Sequence, residues 1–126
     1  MPFDLPPEDK EYLDANHQNW EKCSEGQGKY GLIVEDFSIP KGFDRTTSTL
    51  MLLIPAGYPA APIDMFYFNP PLGKPNGQIP DCLASEIHFG ISWQRWSRHY
   101  EWQVGEHSIV SHIEYIISEL REEGLR

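Results

Sequence analysis

The stretch Thr46-Thr47-Ser48-Thr49-Leu50-Met51-Leu52-Leu53-Ile54-Pro55-Ala56-Gly57-Tyr58-Pro59-Ala60-Ala61-Pro62 decides how this chain folds. Leu50, Leu52 and Ile54 fall on one side of an extended backbone and Met51 and Leu53 on the other, a period-two strand with apolar neighbours on both faces. The prolines then end it, because proline has no N–H to give to a ladder. Working outward, Tyr30 to Ile39 is apolar and β-branched at its centre and stops at Pro40-Lys41-Gly42. Asn19 to Cys23 predicts an earlier strand, closed by the turn signal Gly26-Gln27-Gly28, and Ile63 to Phe68 predicts a later one. Strands this closely spaced imply a four-stranded antiparallel meander. Leu5 to Leu13, with prolines and acids in its first turn, predicts a short N-terminal helix. Ile109, Ile113, Ile116, Ile117 and Leu120 form one apolar stripe, predicting a C-terminal helix over 107–122 that packs on one face of the sheet. The class is α+β, in one domain spanning 1–126.

Composition narrows the function. A net charge of −9 speaks against nucleic acid, since phosphate binding needs clustered Lys and Arg, and fits a basic protein partner. Nothing approaches the run of about 20 apolar residues that a membrane helix needs. Met1 to Lys10 has no apolar signal-peptide core, so a cytoplasmic location is expected. Two cysteines, Cys23 and Cys82, are too few for a disulfide scaffold or a four-cysteine zinc site. Cys23, in the first strand, reads as packing.

Asn69 to Gly105 loses all periodicity while holding Cys82, Trp93, Trp96, Trp102, His88 and His99. A long irregular stretch in a compact domain is usually functional. Trp93 and Trp96 lie three apart, as do Arg95 and Arg98, so one helical turn would put each pair on its own face.

Several signals in order resemble the ubiquitin-conjugating enzymes. Tyr58-Pro59-Ala60-Ala61-Pro62 resembles their proline turn between third and fourth strands. Lys74-Pro75-Asn76 resembles their His-Pro-Asn motif with lysine for histidine, and Ile79-Pro80-Asp81-Cys82-Leu83 stands where they carry the catalytic cysteine. Trp102-Gln103-Val104-Gly105 resembles the tryptophan-led approach to the following helix, and Trp93-Gln94-Arg95-Trp96-Ser97-Arg98-His99 is similar to the hallmark of the prokaryotic ubiquitin-conjugating family designated E. The resemblance covers about residues 5 to 122, without the usual final two helices. It implies the ubiquitin-conjugating fold and a cysteine that accepts a ubiquitin-like protein from an adenylating enzyme as a thioester, with no cofactor and no metal of its own.

On that resemblance Cys82 is the expected nucleophile; the other reading is a half-buried packing thiol. A nearby cation lowers a thiol's pKa, and Lys74, Arg95, Arg98, His88 and His99 are the candidates. Asn76 is the candidate oxyanion donor, or simply the first half of an Asn-Gly turn. Asp81 and Glu86 are the nearest carboxylates in sequence, able to orient or deprotonate an incoming lysine, or else solvated loop acids. His99 either faces the active loop or satisfies a buried carbonyl. Zinc held by His88, His99, Cys82 and an acid lacks any pair at ligand spacing. The Trp93–His99 segment is expected to touch the loop bearing Cys82. A catalytically inactive member that binds a ubiquitin-like protein is the alternative function, and an unrelated thiol or metal hydrolase ranks last. The target protein is not readable from the sequence.

Overall fold

The computed structural model describes residues 4–17, 19–26, 28–80 and 83–126. Helix α1 spans Pro7–Asn16, followed by β1 (Trp20–Ser24), β2 (Tyr30–Ser38), β3 (Thr47–Ile54), β4 (Phe66–Asn69), β5 (Leu83–His88), β6 (Ile91–Trp96) and helix α2 (Ile109–Gly124). The expected meander is present as β1 to β4, with every pairing antiparallel. The sheet nonetheless has six strands, in the order β1-β2-β3-β4-β6-β5. The four-strand expectation is corrected by a hairpin, β5–β6, inside the stretch read as irregular.

Its turn explains why it was missed. Phe89 and Gly90 both have positive φ, 55° and 74°, the requirement of a two-residue type I′ turn. The usual signal there is Asn-Gly, and phenylalanine in that conformation is uncommon. The ring compensates. The hairpin tip folds back over the sheet until Phe89 lies against Gly31 on β2, where a Cβ would sit 2.6 Å from its Cε2.

The helical turn expected at Trp93–His99 is likewise a strand as far as Trp96. Odd spacing on a strand puts two residues on opposite faces. Trp96 therefore enters the main core with Leu32, Leu50, Phe66, Phe68 and the α2 isoleucines, while Trp93 joins Ile33, Met51 and Tyr67 on the second face. Both tryptophans are buried because both faces are covered at that point.

Helix α2 packs as its stripe predicts, with Ile109, Ile113, Ile116 and Leu120 fully buried. Each such side chain contributes about 1.5–3 kcal/mol by leaving water. The helix begins at Ser108, whose N–H donates to Ser111 Oγ at 2.8 Å. It ends where Gly124 passes the backbone of Lys41 and Gly42, leaving no room for a side chain. Gly124→Ala is expected to lose about 1–3 kcal/mol by overpacking, although alanine is the better helix former by about 1 kcal/mol. Urea unfolding decides the sign.

The Tyr58 hydroxyl joins the two helices. It donates to Asp9 Oδ2 on α1 at 2.7 Å and accepts from the Ile109 N–H of α2 at 2.7 Å. Burial pushes the Asp9 carboxyl up; the Tyr58 hydrogen bond opposes this and the Glu8 charge adds to it. A carboxyl raised in the folded state contributes stability that is complete below its unfolded pKa of about 3.9 and is lost as pH rises through the folded value. Wild type should therefore lose stability relative to Asp9→Asn between pH 4 and pH 7. Urea midpoints at the two pH values measure it, and a constant difference would refute the assignment. No described helix is long and apolar enough to cross a membrane.

Candidate functional site

The loop from Pro70 to Pro80 leads from β4 into β5 and is anchored along its length. Leu72 is fully buried and gives both backbone groups to one side chain: its N–H donates to Gln94 Oε1 at 2.8 Å, and Gln94 Nε2 donates to its carbonyl at 2.9 Å. Gln94 Oε1 also accepts from Trp96 Nε1 at 2.9 Å. The glutamine thus acts as a short strand edge for a loop that has none. Gly73 donates to Asp44 Oδ1 at 3.1 Å, and Asp44 N–H returns a bond to the Gly73 carbonyl at 2.9 Å.

Lys74 then opens a tight turn, with Gly77 N–H on the Lys74 carbonyl at 2.9 Å and Lys74 N–H on the Gln78 carbonyl at 2.8 Å. Gly77 has φ +89°, which a side chain would strain. Asn76 shapes the same turn. Its Oδ1 accepts from Gln78 N–H at 3.0 Å and its Nδ2 donates to Gln78 Oε1 at 3.2 Å. This candidate oxyanion donor is exposed and has one amide hydrogen uncommitted to these two bonds.

Past exposed Ile79, Pro80 is buried, and the chain re-emerges at Leu83, which pairs with Trp96. Cys82 and Asp81, the expected nucleophile and its neighbouring acid, lie outside the described residues. So does any distance from the Cys82 sulfur to the Trp93–His99 segment. Beside the loop a groove of about 300 Å³ is lined by Pro71, Ile79, Leu83, Ser85, Trp93 and Gln94.

The five cations considered for tuning the thiol each have a carboxylate partner. Lys74 is buried against Glu123 at the end of α2: its ammonium donates to the Glu123 carbonyl, lies 3.7 Å from the carboxylate and sits 5.4 Å from the Phe43 ring centroid. Arg98 reaches the same carboxylate at 3.3 Å and covers the Trp96 ring at 5.1 Å. Arg95 pairs with Glu86, and His88 Nε2 lies 2.8 Å from that carboxylate. Together the His88 ring and the Arg95 guanidinium hold Glu86 below the usual carboxylate range. This set belongs to the second face. His88 is also five strand positions beyond Leu83, about 17 Å along the strand at roughly 3.4 Å per residue. His99 Nδ1 faces Asp64 Oδ1 at 2.7 Å on an exposed surface, and its carbonyl accepts from the Tyr115 hydroxyl at 3.3 Å.

Sequence reasoning did not single out Glu123, Gln94 or His112. His112 is buried on α2, with Nε2 on the Met65 carbonyl at 2.8 Å and the Tyr100 hydroxyl on Nδ1 at 2.8 Å. Burial lowers its pKa, opposed by the Met65 hydrogen bond. A histidine and a glutamate on the helix's apolar stripe were the available signal. Cys23 is half-buried, and burial, with the Glu21 charge adding, pushes its thiol up to about 11, as a packing residue requires. Among the described residues no group of His, Cys, Asp and Glu is arranged to hold a metal ion.

Comparison with curated proteins and with solved structures found no significant match. Comparison with protein families did: the family described as Prokaryotic E2 family E matches residues 5–123, which takes in α1, the whole sheet and all but the last residue of α2. The chain belongs to this prokaryotic E2 family.

Proposed function

We propose that this chain carries a ubiquitin-like protein on Cys82 as a thioester and passes it to an amine. The observation that carries the reading is the family match over 5–123; Cys82, one residue before β5, stands in the segment that resembles the catalytic-cysteine stretch of the conjugating enzymes. An adenylating enzyme first activates the modifier's C-terminal carboxyl with ATP and holds it as a thioester. The Cys82 thiolate attacks that carbonyl, a new C–S bond forms, and the donor's sulfur leaves as thiolate. The target amine then attacks, a C–N bond forms, the C–S bond breaks, and Cys82 is restored as the amine's proton passes to a base or to water.

Asn76 is assigned to the oxyanion of both steps, using its remaining amide hydrogen or releasing Gln78. Asp81 is assigned to the incoming amine because it adjoins the nucleophile in sequence. His99 is assigned to orienting the target, since it follows the strand residue opposite Leu83 by three positions and already pairs with an exposed acid. The paired state of Lys74, Arg95, Arg98 and His88 argues against their tuning the thiol directly. The test is incubation with the adenylating enzyme, the modifier and ATP, followed by gels with and without reductant. A reductant-labile adduct is expected. None at all, with verified partners, would make the chain a non-catalytic binding module.

A further inference from the structure

The sheet has two edges, and they are treated differently. On β1 the outer strand carries Glu21 and Lys22, with Lys22 tied to Asp4 at 3.0 Å, the charged protection natural edges use. On β5 the first half, Leu83-Ala84-Ser85, is uncharged, and Glu86 is drawn onto the second face by Arg95 and His88. β5 pairs with β6 and with no other described strand, so its outer backbone groups have no ladder partner. Exposed Ile87 and Ile79 flank this edge. The strand is also rigidly held. Trp96 and Trp93 pin β6 to the two faces, while Phe89, with the Lys29 ammonium 5.4 Å from its ring centroid, pins the tip to β2.

We infer that the free edge of β5 binds the extended C-terminal tail of the modifier as an added antiparallel strand, with side chains entering the groove formed by Pro71, Ile79, Leu83 and Ser85. The inference rests on the thioester reading, because attachment at Cys82 is what selects the occupant. The chain direction follows from connectivity. β5 starts one residue after Cys82 and runs away from it, whereas a tail bonded through its last carbonyl runs toward it. The pairing is therefore antiparallel, and the six residues of β5 accommodate a similar number of tail residues over about 20 Å. A preformed edge supplies main-chain hydrogen bonds without being ordered itself, so only the tail loses freedom on binding, which is how extended peptides are captured by sheets generally.

The experiment tethers a probe peptide. A valine-threonine hexapeptide with a C-terminal cysteamide, presented as its pyridyl disulfide, is exchanged onto Cys82 of the full chain, releasing pyridinethione. Cys23, with its raised thiol, is expected to stay unmodified. Amide hydrogen exchange is then followed by NMR. Alternate amides within 83–88 should slow by about tenfold, and a peptide N-methylated at alternate positions should lose that protection. Unchanged exchange overturns the proposal. So does protection that grows with protein concentration before any peptide is added, which would assign the edge to a second copy of the chain. Protection by the tether with no adduct in the conjugation assay would strike the thioester reading and the identity of the occupant, leaving the edge's capacity to pair intact.

Discussion

Cys82→Ala should abolish the modifier adduct completely, while Cys23→Ala should keep it. The contrast follows from the environments that a transferring thiol needs. Thioester exchange requires ionised sulfur within reach of a protein-sized donor. Cys23 has neither property: it sits half-buried on β1 beside Gly31, with a thiol pushed up to about 11, so about one molecule in a thousand is ionised at pH 8. Cys82→Ser should still accept the modifier, more slowly, and the product should resist reductant because an oxygen ester replaces the thioester. The unfolding midpoints of the two Cys82 variants should stay near wild type, separating lost chemistry from lost fold, while Cys23→Ala should lose some stability from its packing site yet keep the adduct. An adduct that survives Cys82→Ala would overturn the assignment of the nucleophile.

The second large effect is on stability, at Glu123. Its side chain is 9% exposed and collects Lys74, Arg98 and Arg126, while its backbone carbonyl accepts from Lys74 as well. Removing one member of a buried charge cluster costs about 3–5 kcal/mol when it leaves an opposite charge without compensation. Glu123→Ala is expected in that range, because the buried Lys74 ammonium would keep only a carbonyl and the face of the Phe43 ring, with no opposite charge. Lys74→Met should cost clearly less, since Arg98 and Arg126 still neutralise the carboxylate. Adding Lys74→Met to Glu123→Ala should recover part of the loss, because the stranded ammonium disappears. Urea unfolding of the three variants forms the cycle. Equal costs for the two single variants would refute the asymmetry. The contact also pins the loop: Lys74 lies eight residues before Cys82 and ties that segment to the end of α2.

Much of this protein was legible from its residues because local pattern and burial agree. Leu50, Leu52 and Ile54 alternate and are buried on one face; Ile109, Ile113, Ile116 and Leu120 repeat at helical spacing and are buried against it. A strand or helix that covers one side of a single core must display its period, so the four-strand meander and α2 could be read directly. Tyr58-Pro59-Ala60-Ala61-Pro62 and the Trp93–His99 run likewise pointed to the family that the match over 5–123 establishes.

Only the tertiary structure decided the rest. The β5–β6 hairpin has no clean alternation, because β6 is covered on both faces and β5 is an edge. Its turn carries Phe89, whose unusual backbone is supported by a ring contact with Gly31 on a strand about 60 residues earlier. Trp93 and Trp96 carried a spacing compatible with a helix, and pairing of Phe66 with Trp96 is what made it a strand. Lys74 read as a loop cation that could tune a thiol. Its actual partner, Glu123, is at the other end of the sequence, and no local pattern encodes an ion pair closed across 49 positions. Local pattern determined the meander and α2, and the family resemblance pointed to Cys82 as the expected nucleophile; contacts between distant segments determined the β5–β6 hairpin, which charges are committed, and how the loop before Cys82 is held.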